Sequence, residues 1–165
     1  MGPWDVMSSH LIKRDEPPPG LSSFTRIRLG WISESQVVLI TAGEEKRVVL
    51  EPLAKGGGTT LAVKIPLKGN TYLLVENRQP IGYDRVMPDA GILILKVNPD
   101  ALEGAGTVRI MDADPDSPYF AHATFRPDRP QRSRFVDKEN QIAIVPLALH
   151  DNNMEVLVTT PEKAP

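Results

Sequence analysis

The sequence predicts a mainly β protein: an antiparallel β-sandwich of about nine strands preceded by one short N-terminal helix. Three observations carry this. The 165 residues include 16 prolines and 12 glycines, which favour many turns over long helices. From Gln36 onward, short runs of valine, isoleucine, leucine and threonine alternate with turn residues at intervals of about ten. Only one stretch, LSSFTRIRLGW, has apolar residues at helical spacing.

The chain opens MGPWDVMSSH, a Gly-Pro turn with a tryptophan, followed by KRDEPPPG (Lys13 to Gly20), whose three prolines read as an exposed linker. In the next stretch Leu21, Phe24, Ile27 and Leu29 follow a period near 3.6, and Gly30 is placed to end a short helix of at most about ten residues. Strands are expected near Val37–Ile40, Arg47–Leu50, Thr60–Ile65, Tyr72–Asn77, Ile92–Val97, Thr107–Met111, Ala121–Phe125, Ile142–Leu149 and Glu155–Thr159.

Leu61, Val63 and Ile65 alternate with Ala62 and Lys64, which predicts one wet face. Ile92-Leu93-Ile94-Leu95 does not alternate and is expected to be a central strand buried on both faces. Pro146 assigns its strand to an edge or a bulge. The Gly56-Gly57-Gly58 run lacks the following Lys-Ser/Thr of a phosphate loop and reads as a hairpin tip. His150 precedes Asp-Asn-Asn, a hairpin turn.

Composition narrows the function. Hydrophobic residues make up 41% and charged residues 24%, as in a soluble globular domain. With a net charge of -2 no general attraction to phosphate backbones exists, and nucleic acid is not an expected partner. The densest basic run, RPDRPQRSR (Arg126 to Arg134), is broken by prolines and an aspartate and reads as a solvated loop. No run of about 18 apolar residues indicates a membrane span. The absence of cysteine removes disulfides, thiolate metal sites and cysteine nucleophiles.

The three histidines, His10, His122 and His150, form no close ligand pair, and there is no H-E-x-x-H helix. No G-x-S-x-G elbow accompanies Ser8-Ser9-His10. Asp112, Asp114 and Asp116 in MDADPDSP could converge hard oxygen ligands on calcium. An EF-hand is excluded because its sixth and twelfth positions would be Ser117 and Ala123; the other reading is a polar turn whose aspartates cap backbone N–H groups. On the strand Tyr72–Asn77, Tyr72, Leu74, Glu76 and the following Arg78 share one face, so Glu76 and Arg78 form a polar pair, either a structural ion pair or a contact for an adjoining domain.

Taken in order, GPWDVMS (Gly2 to Ser8), RLGWI (Arg28 to Ile32), YLLVENRQPIGYD (Tyr72 to Asp84), MPDAGILILKV (Met87 to Val97) and DADPD (Asp112 to Asp116) resemble the segment after the zinc-binding helix in immune inhibitor A type secreted zinc metallopeptidases. The resemblance implies that residues 1–35 are a remnant of a catalytic domain and residues 36–165 a β-sandwich domain. It implies that Trp4, Asp5 and Met7 form the methionine turn that lies beneath the zinc ligands, where an apolar, polarizable side chain fills space without competing for the metal. The helix bearing the zinc ligands and catalytic glutamate would lie before Gly2, so zinc is expected only in a full-length parent, and no catalytic residue is assigned here. Asp114 is followed by Pro115 where many relatives have glycine.

Three functions are therefore expected. The first is a non-catalytic, extracellular scaffold or binding module whose partner is an upstream metallopeptidase catalytic domain or a protein substrate. The second is a component of an active zinc endopeptidase whose catalytic helix comes from the upstream chain. The third is a stand-alone β-sandwich ligand-binding or adhesion module, for which two tryptophans, three tyrosines and four phenylalanines are a sparse supply for a sugar-binding platform.

Overall fold

The computed structural model describes residues 1–7, 15–102 and 104–165. Ser8-Ser9-His10 and the Lys13 end of the linker lie outside the described residues. The described residues form nine strands: β1 (Val37–Leu39), β2 (Lys46–Leu50), β3 (Ala62–Pro66), β4 (Tyr72–Arg78), β5 (Gly91–Val97), β6 (Val108–Ile110), β7 (Phe135–Asp137), β8 (Ile142–His150) and β9 (Asn153–Thr159). The single α-helix is α1 (Ser23–Arg28).

The strands make two sheets, one in the order β1-β3-β4-β5-β6 and one in the order β2-β9-β8-β7. Period-two alternation sends one set of apolar side chains from each sheet into a shared core: Val63, Ile65, Leu73, Val75, Ile92 and Ile94 from the first meet Val48, Leu50, Ile144, Val156 and Val158 from the second. This is the expected sandwich, with one exception to its antiparallel pairing. β1 pairs with β3 in parallel, because the chain leaves the first sheet to form β2 before returning as β3.

The outer face of the first sheet is also covered. Trp4, Leu74, Leu93, Leu95, Val97 and Ala123 form a second buried cluster, against which Phe24, Ile27 and Phe120 pack. The wet face expected beside Leu61, Val63 and Ile65 is therefore corrected: Ala62 is fully buried, and only Lys64 keeps partial exposure. The same cover explains why Ile92 to Leu95 lacks alternation, since β5 is buried on both faces.

Individual elements agree with expectation or depart from it for local reasons. α1 is short as expected, with six residues, because Ser22 caps its start and Gly30, at φ +72°, ends it. There Gly30 N donates to Ile27 O at 3.0 Å and Trp31 N to Arg26 O at 2.8 Å, the paired closure that a left-handed residue permits. The strand expected at Ala121–Phe125 is instead a turn passing through left-handed Tyr119 and Phe120, with one bridge from Phe125 to Ile92. β7 was hidden in a stretch without an apolar run. The triple glycine lies in the crossing from the second sheet to β3, not at a hairpin tip, because β2 and β3 are in different sheets. The His150 turn is as expected, with Asp151 and Asn152 at φ +47° and +72° joining β8 to β9. The Pro146 irregularity is also present, as a register shift between Pro146 and Ala148.

Candidate functional site

The opening turn and the polar end of β4 form one buried unit. Gly2-Pro3-Trp4 makes a single 3-10 turn, which drops the Trp4 indole into the outer cluster, where Nε1 donates to Phe120 O at 2.8 Å. Asp5 follows in extended backbone and is 2% exposed. Its Oδ1 accepts from Met7 N at 2.8 Å, closing the turn, while Oδ2 accepts from Ser22 N at 2.8 Å and Thr25 Oγ1 at 3.0 Å. One carboxylate thus ties the turn to the start of α1. Met7 stands at the tip of this turn, 77% exposed.

Beneath it, Glu76, Arg78 and Asp84 are all fully buried. Period-two geometry places Glu76 and Arg78 on the outer face of β4, and a 3-10 turn at Gly82–Val86 brings Asp84 back over them. Arg78 has five N–H donors, and each finds an acceptor. Nε and Nη2 reach the two oxygens of Asp84, both at 2.8 Å; Nη1 reaches Glu76 Oε1 at 2.8 Å and Trp4 O at 3.2 Å; Nη2 also reaches Gly20 O at 3.2 Å. Glu76 Oε2 accepts from Ser23 N at 2.7 Å. Burial opposes the guanidinium charge, but the two carboxylates outweigh it and raise its pKa above the ordinary arginine value. The Glu76–Arg78 pair expected from spacing is therefore an internal ion pair that anchors Trp4, Gly20 and α1. Asp84 is the member that sequence reasoning missed, although its place in the quoted GYD segment was visible.

Gly20 is fixed by this arrangement. A Cβ there would lie 2.5 Å from Asp84 Oδ1, so the linker approaches the cluster as closely as a backbone can. Nearby, the Arg26 pKa is lowered by burial and then by the Arg78 charge; its Nη1 donates to Leu53 O at 2.7 Å.

The acidic run takes a different form. Asp112 Oδ1 accepts from Asp114 N at 3.0 Å, Asp114 Oδ2 accepts from Ser117 Oγ at 2.8 Å, and Asp116 is exposed. His122 Nδ1 lies 2.9 Å from Ser117 Oγ and 3.3 Å from Asp114 Oδ2. Serine and aspartate share one ring nitrogen here, whereas a relay from nucleophile to orienting acid needs both nitrogens of the base. Among the described residues no three His, Asp or Glu side chains are grouped to hold a metal ion. His122 and His150 are exposed on separate segments, and the aspartates of the run make turn contacts with Asp114 N and Ser117 Oγ.

The arginine loop is more tightly held than a solvated loop. Arg126 pairs with Asp128 through Nε and Nη2 at 2.9 and 3.0 Å, and its Nη1 reaches Asp89 Oδ1 at 3.1 Å. Arg132 pairs with the other Asp89 oxygen, which also accepts from Thr124 Oγ1 at 2.7 Å. Burial raises the Asp89 pKa, but the Arg132 and Thr124 hydrogen bonds outweigh it and hold the carboxyl below its usual range. Asp89 lies 37 positions before Arg126, too far for spacing to reveal the pair.

No family model, curated protein or solved structure matches this chain.

Proposed function

We propose that this chain is a non-catalytic β-sandwich scaffold of the immune inhibitor A metallopeptidase type, working outside the cell and presenting its methionine turn to a catalytic domain as partner. One observation carries the reading: Trp4 and Asp5 are 0% and 2% exposed while Met7, two residues on, is 77% exposed. A turn with no partner has little reason to bury its anchors so thoroughly and hold out an apolar, polarizable tip. Pre-organisation of that kind lowers the ordering cost of docking.

In this reading the sandwich braces and positions a catalytic domain and does not itself cleave. The experiment is to incubate the purified chain with zinc and a protein substrate, with metal analysis alongside. No cleavage and no retained zinc are expected; chelator-sensitive cleavage overturns the reading. The exposure of Met7 also favours a second arrangement, in which the turn lies beneath zinc ligands supplied by an upstream catalytic helix. Calorimetric titration with a zinc-bearing catalytic domain of that family tests it: binding that Met7→Asp abolishes supports it, and binding indifferent to Met7→Asp sinks it.

A further inference from the structure

The turn after β6 carries a reactive juxtaposition that the scaffold reading does not use. Asp114-Pro115 is the one Asp-Pro step in the sequence, and it opens a β-turn in which Ser117 N donates to Asp114 O at 3.0 Å. Proline has no N–H, so its nitrogen cannot close the imide ring that an aspartate side chain forms with an ordinary following residue. What remains to the Asp114 carboxylate is its own carbonyl carbon, which it reaches by closing a cyclic anhydride.

The side chain is held for that attack. Ser117 Oγ donates to Asp114 Oδ2 at 2.8 Å. That donation uses the only proton of the hydroxyl, so His122 Nδ1 is the donor in its contacts with Ser117 Oγ at 2.9 Å and Asp114 Oδ2 at 3.3 Å. Oδ2 thus has two donors, while Oδ1 has no hydrogen-bond partner among the described residues. Ser117 grips both ends of the reaction, its hydroxyl the carboxylate and its N–H the carbonyl oxygen. One residue therefore positions the nucleophile and donates to the oxygen on which negative charge would gather. The Ser117 hydrogen bond outweighs desolvation and, with that from His122, holds the Asp114 carboxyl below its usual range, in the ionised form that attacks.

The bond also faces water. Asp114, Pro115 and His122, with Asp116, Arg129 and Arg132, line an open groove of about 590 Å3. Solvent in that groove reaches the Pro115 side of the peptide bond, and the Arg132 charge acts on Asp114.

We infer that the folded chain cuts its own Asp114–Pro115 peptide bond, with the Asp114 carboxylate as nucleophile and water as co-reactant. Oδ1 adds to the Asp114 carbonyl carbon, and the displaced electron pair moves to the carbonyl oxygen under the Ser117 N–H. As that pair returns, the bond to the Pro115 nitrogen breaks; the nitrogen takes a proton from groove water and becomes a new amino terminus. The cyclic anhydride left on Asp114 then adds one water and opens to two carboxylates. The net change is hydrolysis of one peptide bond, with one water consumed and no change of oxidation state. The cut falls between β6 and β7, and the pieces stay together because β2 pairs with β9 from Lys46–Val158 to Leu50–Met154. The inference goes beyond the scaffold reading and survives its failure, because no residue of the opening turn takes part.

The test is incubation of the purified full chain near neutral pH, followed by intact-mass spectrometry. Two fragments are expected, one ending at Asp114 and one beginning at Pro115, together heavier than the chain by one water and eluting together until denatured. A chelator is expected to leave the rate unchanged, which separates this cut from that of a metallopeptidase. Cleavage should be at least about tenfold faster in the folded chain than in urea and at least about a hundredfold slower in Asp114→Asn, while Asp116→Asn keeps the wild-type rate. Ser117→Ala is expected to slow it about tenfold and Ser117→Thr to restore it. Hydroxylamine present during the reaction intercepts the anhydride and leaves a hydroxamate on the Asp114 fragment. An intact chain after several days, a cut at another bond, chelator-sensitive cleavage, or a rate that urea, Asp114→Asn or Ser117→Ala leaves unchanged overturns the inference. If Asp114→Asn unfolds, the hydroxylamine product of the wild type decides, and cleavage without a hydroxamate overturns it.

Discussion

Arg78 and Asp84 meet fork to fork, Nε and Nη2 each donating at 2.8 Å to a different carboxylate oxygen, with both side chains shut away from water. A buried pair of this kind is not in itself a source of stability, because desolvation opposes the attraction. What it does here is define geometry. The remaining Arg78 donors reach Glu76 and the carbonyls of Trp4 and Gly20, so one guanidinium fixes the opening turn, the linker and β4 relative to each other.

Removing that guanidinium leaves two buried carboxylates facing each other. Arg78→Met is expected to lose about 3–5 kcal/mol in urea unfolding. Arg78→Lys is expected to recover only part of it, since an ammonium has three donors for five acceptors. Equal stability of the lysine variant and wild type would show that charge alone, and not the fork, holds the turn.

Gly20 tests the same cluster from the backbone side. Gly20→Ala places a methyl 2.5 Å from Asp84 Oδ1, and a loss of about 1–3 kcal/mol is expected as the fork is displaced. Gly43→Ala is the comparison: no atom lies within 4 Å, so only the strain of φ +88° is expected, about 1 kcal/mol. Thermal or urea midpoints of the two variants separate contact from strain.

The two tryptophans sit in opposite environments. Trp4 is 0% exposed and Trp31 is 65% exposed, so acrylamide is expected to quench Trp31 strongly and Trp4 hardly at all. Trp31→Phe should leave a blue-shifted, protected emission. Trp4→Phe keeps a ring in the cluster but leaves the Phe120 carbonyl without its donor, and about 1–3 kcal/mol is expected to be lost.

Legibility of the fold tracked the range of the interactions involved. Strands β4, β5, β8 and β9 were readable because each carries its own apolar pattern, and the Glu76–Arg78 neighbourhood followed from period two alone. The burial of Ala62 was not readable, because it depends on Trp4 and α1 folding over the sheet from far along the chain. Ala121–Phe125 was misread as a strand because left-handed Tyr119 and Phe120 have no sequence signature. Asp84 and Asp89 escaped notice for a related reason: a carboxylate's partner is chosen by the tertiary fold.

Calcium addresses the acidic run directly. Asp112 and Asp114 already accept from Asp114 N and Ser117 Oγ, and the nearby His122 is engaged by Asp114 and Ser117. The thermal midpoint is therefore expected to be the same with and without millimolar calcium, in wild type and in Asp112→Ala/Asp114→Ala alike. A calcium-dependent rise that the double variant abolishes would return these carboxylates to a metal site.

Acid stability should depend on Asp89. Its folded-state pKa lies below the unfolded value, since the hydrogen bonds from Arg132 and Thr124 outweigh burial. A carboxylate of this kind contributes stability that is complete above the unfolded pKa, near about 4, and is lost as pH falls through the lower folded value. Asp89→Asn removes that titration. It is expected to lower stability at pH 7 and to make the decline below about pH 4 shallower, so the wild-type and variant curves converge in acid. Urea midpoints measured from pH 7 to pH 2 check this; parallel curves would mean that Asp89 titrates alike in both states and that its two arginines hold the loop by packing alone.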